Sequence, residues 1–383
     1  MIKNNFKAIL FAALIVAMIL PFSVMDISAA PTENANDKAK GKLFIKDKND
    51  NKVPHQDEMN KMFKVVKDKN SSKDDKDKAG KRMDEIRQLT KSLAPKISHD
   101  KTQKIRGQID NVALAADKIA ESENVWIVSI GTDYENQSVN VGIEREGLTD
   151  QKIKKIEKKL RGILGNDVDI TISYADPIYL TSCSQTGDCN PVEGGTRISV
   201  DGHLCSMGYR ATIGTATGFV TAGHCNAGAT GVSVGQPTML DVLGTVILND
   251  FQNGTWCDCT FVESTETTSP DVYNGQTVSG FVFPTLYDWV ELEGTISLGS
   301  QGAITDVYEH IHPRLPPSNN YYWVYGVVQT SASAIGGDSG GSVIESTSGT
   351  PGFMGIITAG NSTETFYTPY YRITNAFTGI TLG

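Results

Sequence analysis

From Pro177 to the C-terminus the chain repeats one texture: short runs of alternating apolar and polar residues about ten residues apart, divided by Gly, Thr, Ser and Asn. No long stretch shows a 3.6-residue period. Such a chain cannot bury its apolar side chains on helices and must pair short strands into an all-β barrel or sandwich. Candidate strands are 204–211, 217–221, 242–247, 259–263, the residues around Trp289 and Val290, 303–304, 322–328, 342–345 and 354–358. A short C-terminal helix is compatible with the same pattern.

Within that β-rich half stands Gly337-Asp338-Ser339-Gly340-Gly341. A serine followed by two glycines can occupy a tight turn with its hydroxyl exposed. The glycines also let the backbone N–H groups of Gly337 and Ser339 converge where a tetrahedral oxyanion would form. A serine nucleophile needs a base, and the base needs a carboxylate to fix its tautomer. Upstream lies Thr221-Ala222-Gly223-His224-Cys225. A lone histidine is more often a packed, hydrogen-bonded residue than a catalyst; the other five, His55, His99, His203, His310 and His312, have no comparable setting.

Together the two motifs resemble the chymotrypsin-like serine proteases, and the Thr365-Phe366-Tyr367-Thr368-Pro369 stretch is similar to the streptogrisins of the bacterial, α-lytic protease branch. The resemblance covers about residues 190–383. It implies a double β-barrel with His224 as base, Ser339 as nucleophile and an acid between them in sequence. Asp241, Asp250, Asp258, Asp271, Asp288 and Asp306 lie in that interval. Asp258 is the best placed, because it leads into an apolar run as the family's acid does. Its bland alternative is a solvated strand-end charge, and Asp250 is the runner-up. Asp338 is expected to brace the serine turn through an ion pair or hydrogen bonds.

The resemblance further assigns substrate contacts to Ala334, Ile335, Thr358, Ala359 and Gly360, with threonine at 358 where the family usually has serine. The pocket walls it implies, 331–336, 357–360 and 365–369, hold no countercharge for Arg, Lys or Glu. An apolar residue before the cut follows as the expectation. Cys205 and Cys225 have the spacing of a family disulfide. Cys183 and Cys189 are expected to close a loop, whereas Cys257 and Cys259, on one face of an extended strand, are awkward to bridge. Glu291, Gln301 and Ser333 stand where half-cystines are expected. No metal or cofactor is expected.

The N-terminal 180 residues differ in kind. Lys3 and Lys7, the apolar run 8–19, Pro21 and Ser28-Ala29-Ala30 read as a signal peptide over 1–30, the apolar run being short for a membrane anchor. This implies a secreted protein in which six cysteines form disulfides. Residues 31–80, rich in Lys, Asp, Asn and Ser, read as weakly ordered. Over 81–175 the spacing of Met83, Ile86, Leu89 and Leu93, and of Ile105, Ile109, Val112, Ala116 and Ile119, predicts two helices. A hairpin turning at Asn136-Gln137, a helix over 153–164 and a strand over 168–172 complete a small α+β unit. Its position, and its likeness in pattern to the pro-regions of α-lytic protease relatives, imply that 31–180 is a pro-segment ahead of a protease domain at 181–383. An independent binding module is the alternative.

Residues 181–383 contain no lysine, four arginines and 17 acidic residues, net −13, whereas 1–180 carry 31 basic and 27 acidic groups, net +4. An acidic domain excludes nucleic acid and favours its own basic pro-segment as partner, a folding helper and inhibitor. The expected product is a monomer, free of the membrane once the signal is removed, that cuts polypeptides. The competing functions are an esterase and a secreted, non-catalytic binding protein on the same fold.

Overall fold

The computed structural model describes residues 42–46, 53–67, 71–144, 148–175, 191–273, 275–315, 320–347, 349–361 and 363–383. The expected signal peptide, Cys183, Cys189 and the 180/181 boundary lie outside these residues.

The second half folds as two packed β-structures. The first is an antiparallel eight-stranded sheet in the order Ile380–Leu382, Tyr209–Ile213, Ala216–Thr221, Thr260–Ser264, Val242–Asn249, Ser233–Gly235, Arg197–Val200, His203–Ser206. Its interior holds Ile198, Val200, Phe219, Val234, Val246 and Val262, all fully buried. The segment 204–211, which reads as one strand, is two strands meeting at Met207-Gly208. A Cβ on Gly208 would stand 2.6 Å from Val220 O and 2.7 Å from Gly340 O, so only glycine lets this corner touch the serine turn.

The second structure is a closed six-stranded barrel. Ser300–Ile311, Trp289–Glu293, Ser342–Glu345, Phe353–Gly360, Thr365–Pro369 and Val324–Thr330 follow one another, and the last returns to pair with the first. Val290, Leu292, Ile304, Val328, Val343, Met354, Ile357 and Tyr367 fill it. Glu291 and Gln301, where the resemblance suggests half-cystines, face each other across two strands and share a 2.9 Å hydrogen bond. The C-terminal helix is short, Tyr370–Ala376.

The helices of the N-terminal unit are Gln56–Lys67, Lys73–Ser92, His99–Glu123 and Asp150–Leu164. The last three start under side-chain caps, Ser72, Ser98 and Thr149, each accepting from a backbone N–H three residues on. Met83 and Ile86 are buried but Leu89 and Leu93 are exposed, because the inward face runs through Ala79 and Thr90 instead.

Within the stretch expected to be weakly ordered, two described segments are regular. Leu43–Lys46 is a strand parallel to Ile170–Ala175, and Gln56–Lys67 buries Met59. The few apolar groups here suffice because they pack on Trp289 and Ala303 of the barrel, a surface that local composition does not reveal.

Leu43–Lys46, Ile170–Ala175, Ser138–Glu144 and Ile127–Asp133 form a sheet that joins the barrel edge to edge. Ile130 pairs with His310 and Ser129 with Ile311. The helix His99–Glu123 covers this seam: Asp110 accepts from His310 Nε2 (2.9 Å) and Tyr308 Oη (3.1 Å), and Asp117 from Trp323 Nε1 (2.8 Å). A second contact sets Arg87 on Ser346 Oγ and Lys91 on Asp288.

Candidate active site

Ser339 lies in a turn that glycine makes possible. Gly337 and Gly340 have φ of +110° and +83°, and a Cβ on Gly340 would overlap Thr221 Oγ1. The turn is fastened on all sides. Gly340 N–H donates to Ile357 O at 2.7 Å, Ile357 N–H to Gly341 O at 2.9 Å, and Ser206 N–H to Ser339 O at 2.8 Å. Ser206 Oγ donates to Gly337 O at 2.7 Å.

Asp338 accepts only backbone N–H groups among the described residues. Its Oδ1 accepts from Ile296 N (2.7 Å) and Ser297 N (3.0 Å), and its Oδ2 from Ile335 N (2.8 Å). Of the two expected braces the structure uses hydrogen bonds, which satisfy a fully buried carboxylate without a buried counterion.

His224 sits in a single turn, Gly223–Asn226, at the end of the strand Ala216–Thr221. Cys225 is disulfide-bonded to Cys205, anchoring that turn to the neighbouring strand. Two contacts orient the imidazole. His224 Nδ1 lies 2.7 Å from Asp258 Oδ2 and Nε2 lies 2.9 Å from Ser339 Oγ. The backbone N–H of His224 donates to Asp258 Oδ1 at 2.8 Å. With the Nδ1 proton on the carboxylate side, Nε2 presents a lone pair to the serine hydroxyl. All three residues are buried, Ser339 and Asp258 fully.

Asp250, the runner-up acid, takes another part. Its carboxyl accepts from Thr255 Oγ1 at 3.0 Å, and burial raises its pKa above the usual carboxylate value. Asp241, Asp271, Asp288 and Asp306 make no hydrogen bond to His224; Asp306 instead lies on the seam with the N-terminal unit.

Thr358, Ala359 and Gly360 end the strand Phe353–Gly360, the same strand that fastens the serine turn, and Ala334 and Ile335 immediately precede that turn. Ile335 is exposed and the other four are buried. Thr358 Oγ1 is bonded to Thr368 Oγ1 at 2.8 Å.

The pairing of Cys257 with Cys259 corrects the sequence expectation. The strand starts only at Thr260, and the two Cα atoms are 5.2 Å apart, whereas two residues of extended strand span roughly 6.6 Å. The bend brings the two sulfurs together.

No family model matches the chain. It is 25% identical to streptogrisin-A of Streptomyces griseus over 60% of this chain and 71% of the relative. It is 29% identical to glutamyl endopeptidase 2 of Streptomyces griseus over 39% of this chain and 77% of that protein. Among solved structures, Thermobifida fusca protease A aligns with a TM-score of 0.42 at 28% identity, over 50% of this chain and 97% of the other. Glutamyl endopeptidase 2 is by name a peptidase. Its likeness to these proteins makes the chain a chymotrypsin-like serine protease that resembles the streptogrisin and α-lytic protease branch.

Proposed function

We propose that the chain is a secreted proenzyme whose C-terminal domain hydrolyses peptide bonds through Ser339, His224 and Asp258. The observation that carries this reading is the unbroken relay Asp258–His224–Ser339, at 2.7 and 2.9 Å. His224 takes the Ser339 proton as Oγ attacks the scissile carbonyl, and Asp258 stabilises the imidazolium. The N–H groups of Gly337 and Ser339 receive the oxyanion. His224 then returns the proton to the leaving amine, and water repeats the cycle on the acyl-enzyme. Substrate main chain pairs with Thr358–Gly360. Retention of the whole set disfavours a non-catalytic binding protein, and a strand edge beside the nucleophile favours a peptide over a simple ester.

Residues 31–180 act as pro-segment, assisting folding and then holding the enzyme. Supporting this, the N-terminal unit docks on the six-stranded barrel through a continuous sheet, an aromatic wall and two helices. An all-β domain with many non-local pairings gains from such a template. The mature enzyme is a monomer.

The segments assigned to the pocket carry no Lys, Arg or His, and Ala332, Ala334, Ile357 and Tyr367 belong to the barrel's apolar interior. A buried Glu, Lys or Arg side chain would lose hydration without gaining a countercharge, so an apolar residue before the cut is preferred. The name of one relative raises a preference for Glu as the alternative. N-terminal sequencing and mass of the secreted product test processing: wild type should be cut near residue 180, and the Ser339→Ala chain should stay joined. An intact wild-type product with full peptidase activity would refute the proenzyme reading.

A further inference from the structure

Asp258 has an unusual support. Its carboxylate is fully buried, and the hydrogen bonds it accepts among the described residues all come from His224 itself, one from the backbone and one from the ring. A carboxylate held only by the group it must orient has no independent anchor. What fixes Asp258 is therefore its backbone, and the backbone is clamped on both sides. Cys257 and Cys259 are bonded to each other, both fully buried, so Asp258 sits at the apex of a small disulfide ring.

The ring is tied in turn to the preceding loop. Thr255 Oγ1 accepts from Cys257 N–H at 3.1 Å and lies 3.0 Å from Cys257 O and 2.8 Å from Asp250 O. Asp250 N–H donates to Cys259 O at 3.0 Å.

We propose that the Cys257–Cys259 disulfide, with Thr255 behind it, is the positioning device of the triad acid: it holds the bend that aims Asp258 at His224. The inference rests on the triad reading above. Without the bridge, residues 257–259 can relax toward the extended spacing that continues the strand from Thr260. The carboxylate then swings from the imidazole, and an error of about 1 Å at a reacting group costs on the order of a hundredfold in rate. The cysteines and Thr255 touch no substrate; they act through Asp258.

The test compares the processed wild-type enzyme with the double variant Cys257→Ala/Cys259→Ala and with Thr255→Val and Thr255→Ser. In the double variant kcat should fall about tenfold to hundredfold while KM stays within about threefold. The Nδ1–H proton resonance of His224 should be far downfield in wild type and should broaden or vanish in the double variant, a readout that needs no turnover. Thr255→Val should shift both readouts the same way by less, and Thr255→Ser should restore them. A variant that melts earlier but keeps kcat and resonance would overturn the proposal. Should the double variant fail to fold, the Thr255 pair decides: Thr255→Val indistinguishable from wild type also overturns it. Absence of peptide hydrolysis by wild type would instead sink the triad reading itself.

Discussion

Asp306 should make the grip of the N-terminal unit on the protease domain pH-dependent, and Asp306→Asn should remove that dependence. Asp306 lies on Ser300–Ile311 beside the strand Ile127–Asp133, where its Oδ2 accepts Thr132 N–H at 2.7 Å. Gly131 covers it so closely that a Cβ there would stand 2.6 Å from the same oxygen. Burial raises the carboxyl from 3.8 to about 6, against the lowering effect of the Thr132 and Tyr308 N–H groups and of Arg106. Glu309, beside it and bonded to Ser129, is pushed up as well by burial and by Asp306.

Once separated, Asp306 regains water and titrates near its ordinary value. A pKa raised in the complex means that binding takes up a proton, so association is unhindered below about pH 4 and weakens as pH rises to about 6. A shift of about two units corresponds to ~3 kcal/mol, or roughly a hundredfold. His312, pushed down to about 4 by burial, works in the opposite direction. It is present in both proteins and cancels in their ratio. Replacing the carboxylate by an amide loses an acceptor at Tyr308 N–H, an offset that does not vary with pH. Fluorescence polarisation of labelled pro-segment against the Ser339→Ala protease domain measures Kd from pH 4 to 8. The ratio of wild-type to Asp306→Asn Kd should climb about tenfold per pH unit between 4 and 6 and then flatten. A ratio constant across that range would refute the reasoning.

Asp258→Asn should lower kcat about ten-thousandfold by favouring the wrong imidazole tautomer, while Asp250→Asn, which lacks contact with His224, should retain most activity. The reverse outcome would move the acid to Asp250. A peptide-library profile should show cleavage after Phe, Tyr, Leu or Met ahead of Lys, Arg and Glu; a profile led by Glu would contradict the uncharged pocket. Trp323→Ala should weaken pro-segment binding by about 3–5 kcal/mol, since Trp323 packs into the core of the N-terminal unit and donates to Asp117. Unchanged affinity would show that the aromatic wall is incidental.

The serine turn and its histidine are legible in the sequence because both rest on short contiguous strings with required glycines: Gly337 and Gly340 take positive φ, and a Cβ on Gly223 would stand 2.6 Å from Phe251 Cβ. The helix His99–Glu123 is legible for a similar reason: Ile105, Ile109, Val112, Ala116 and Ile119 all face one core. The strand Leu43–Lys46 and the helix Gln56–Lys67 are not, because their burial is supplied by Ile170–Ala175 and by Trp289, far away in sequence. Ser300–Ile311 runs twelve residues where alternation reveals only Ala303-Ile304, since its later half carries Asp306, Glu309 and His310, polar groups buried by the N-terminal unit. The Cys257–Cys259 bond is hidden by a local bend that periodicity assigns to an extended strand.

The central claim is that Ser339 is a nucleophile activated by His224, and a serine-directed phosphonate tests it most directly. Intact-mass and peptide analysis of the processed protein should show one adduct, on Ser339, with loss of peptide hydrolysis in step with labelling. Ser339→Ala should take no label and lose on the order of a millionfold in turnover, and His224→Ala should label far more slowly. A folded, processed wild-type domain that hydrolyses peptides yet leaves Ser339 unmodified, or a Ser339→Ala protein with normal turnover, would contradict the account.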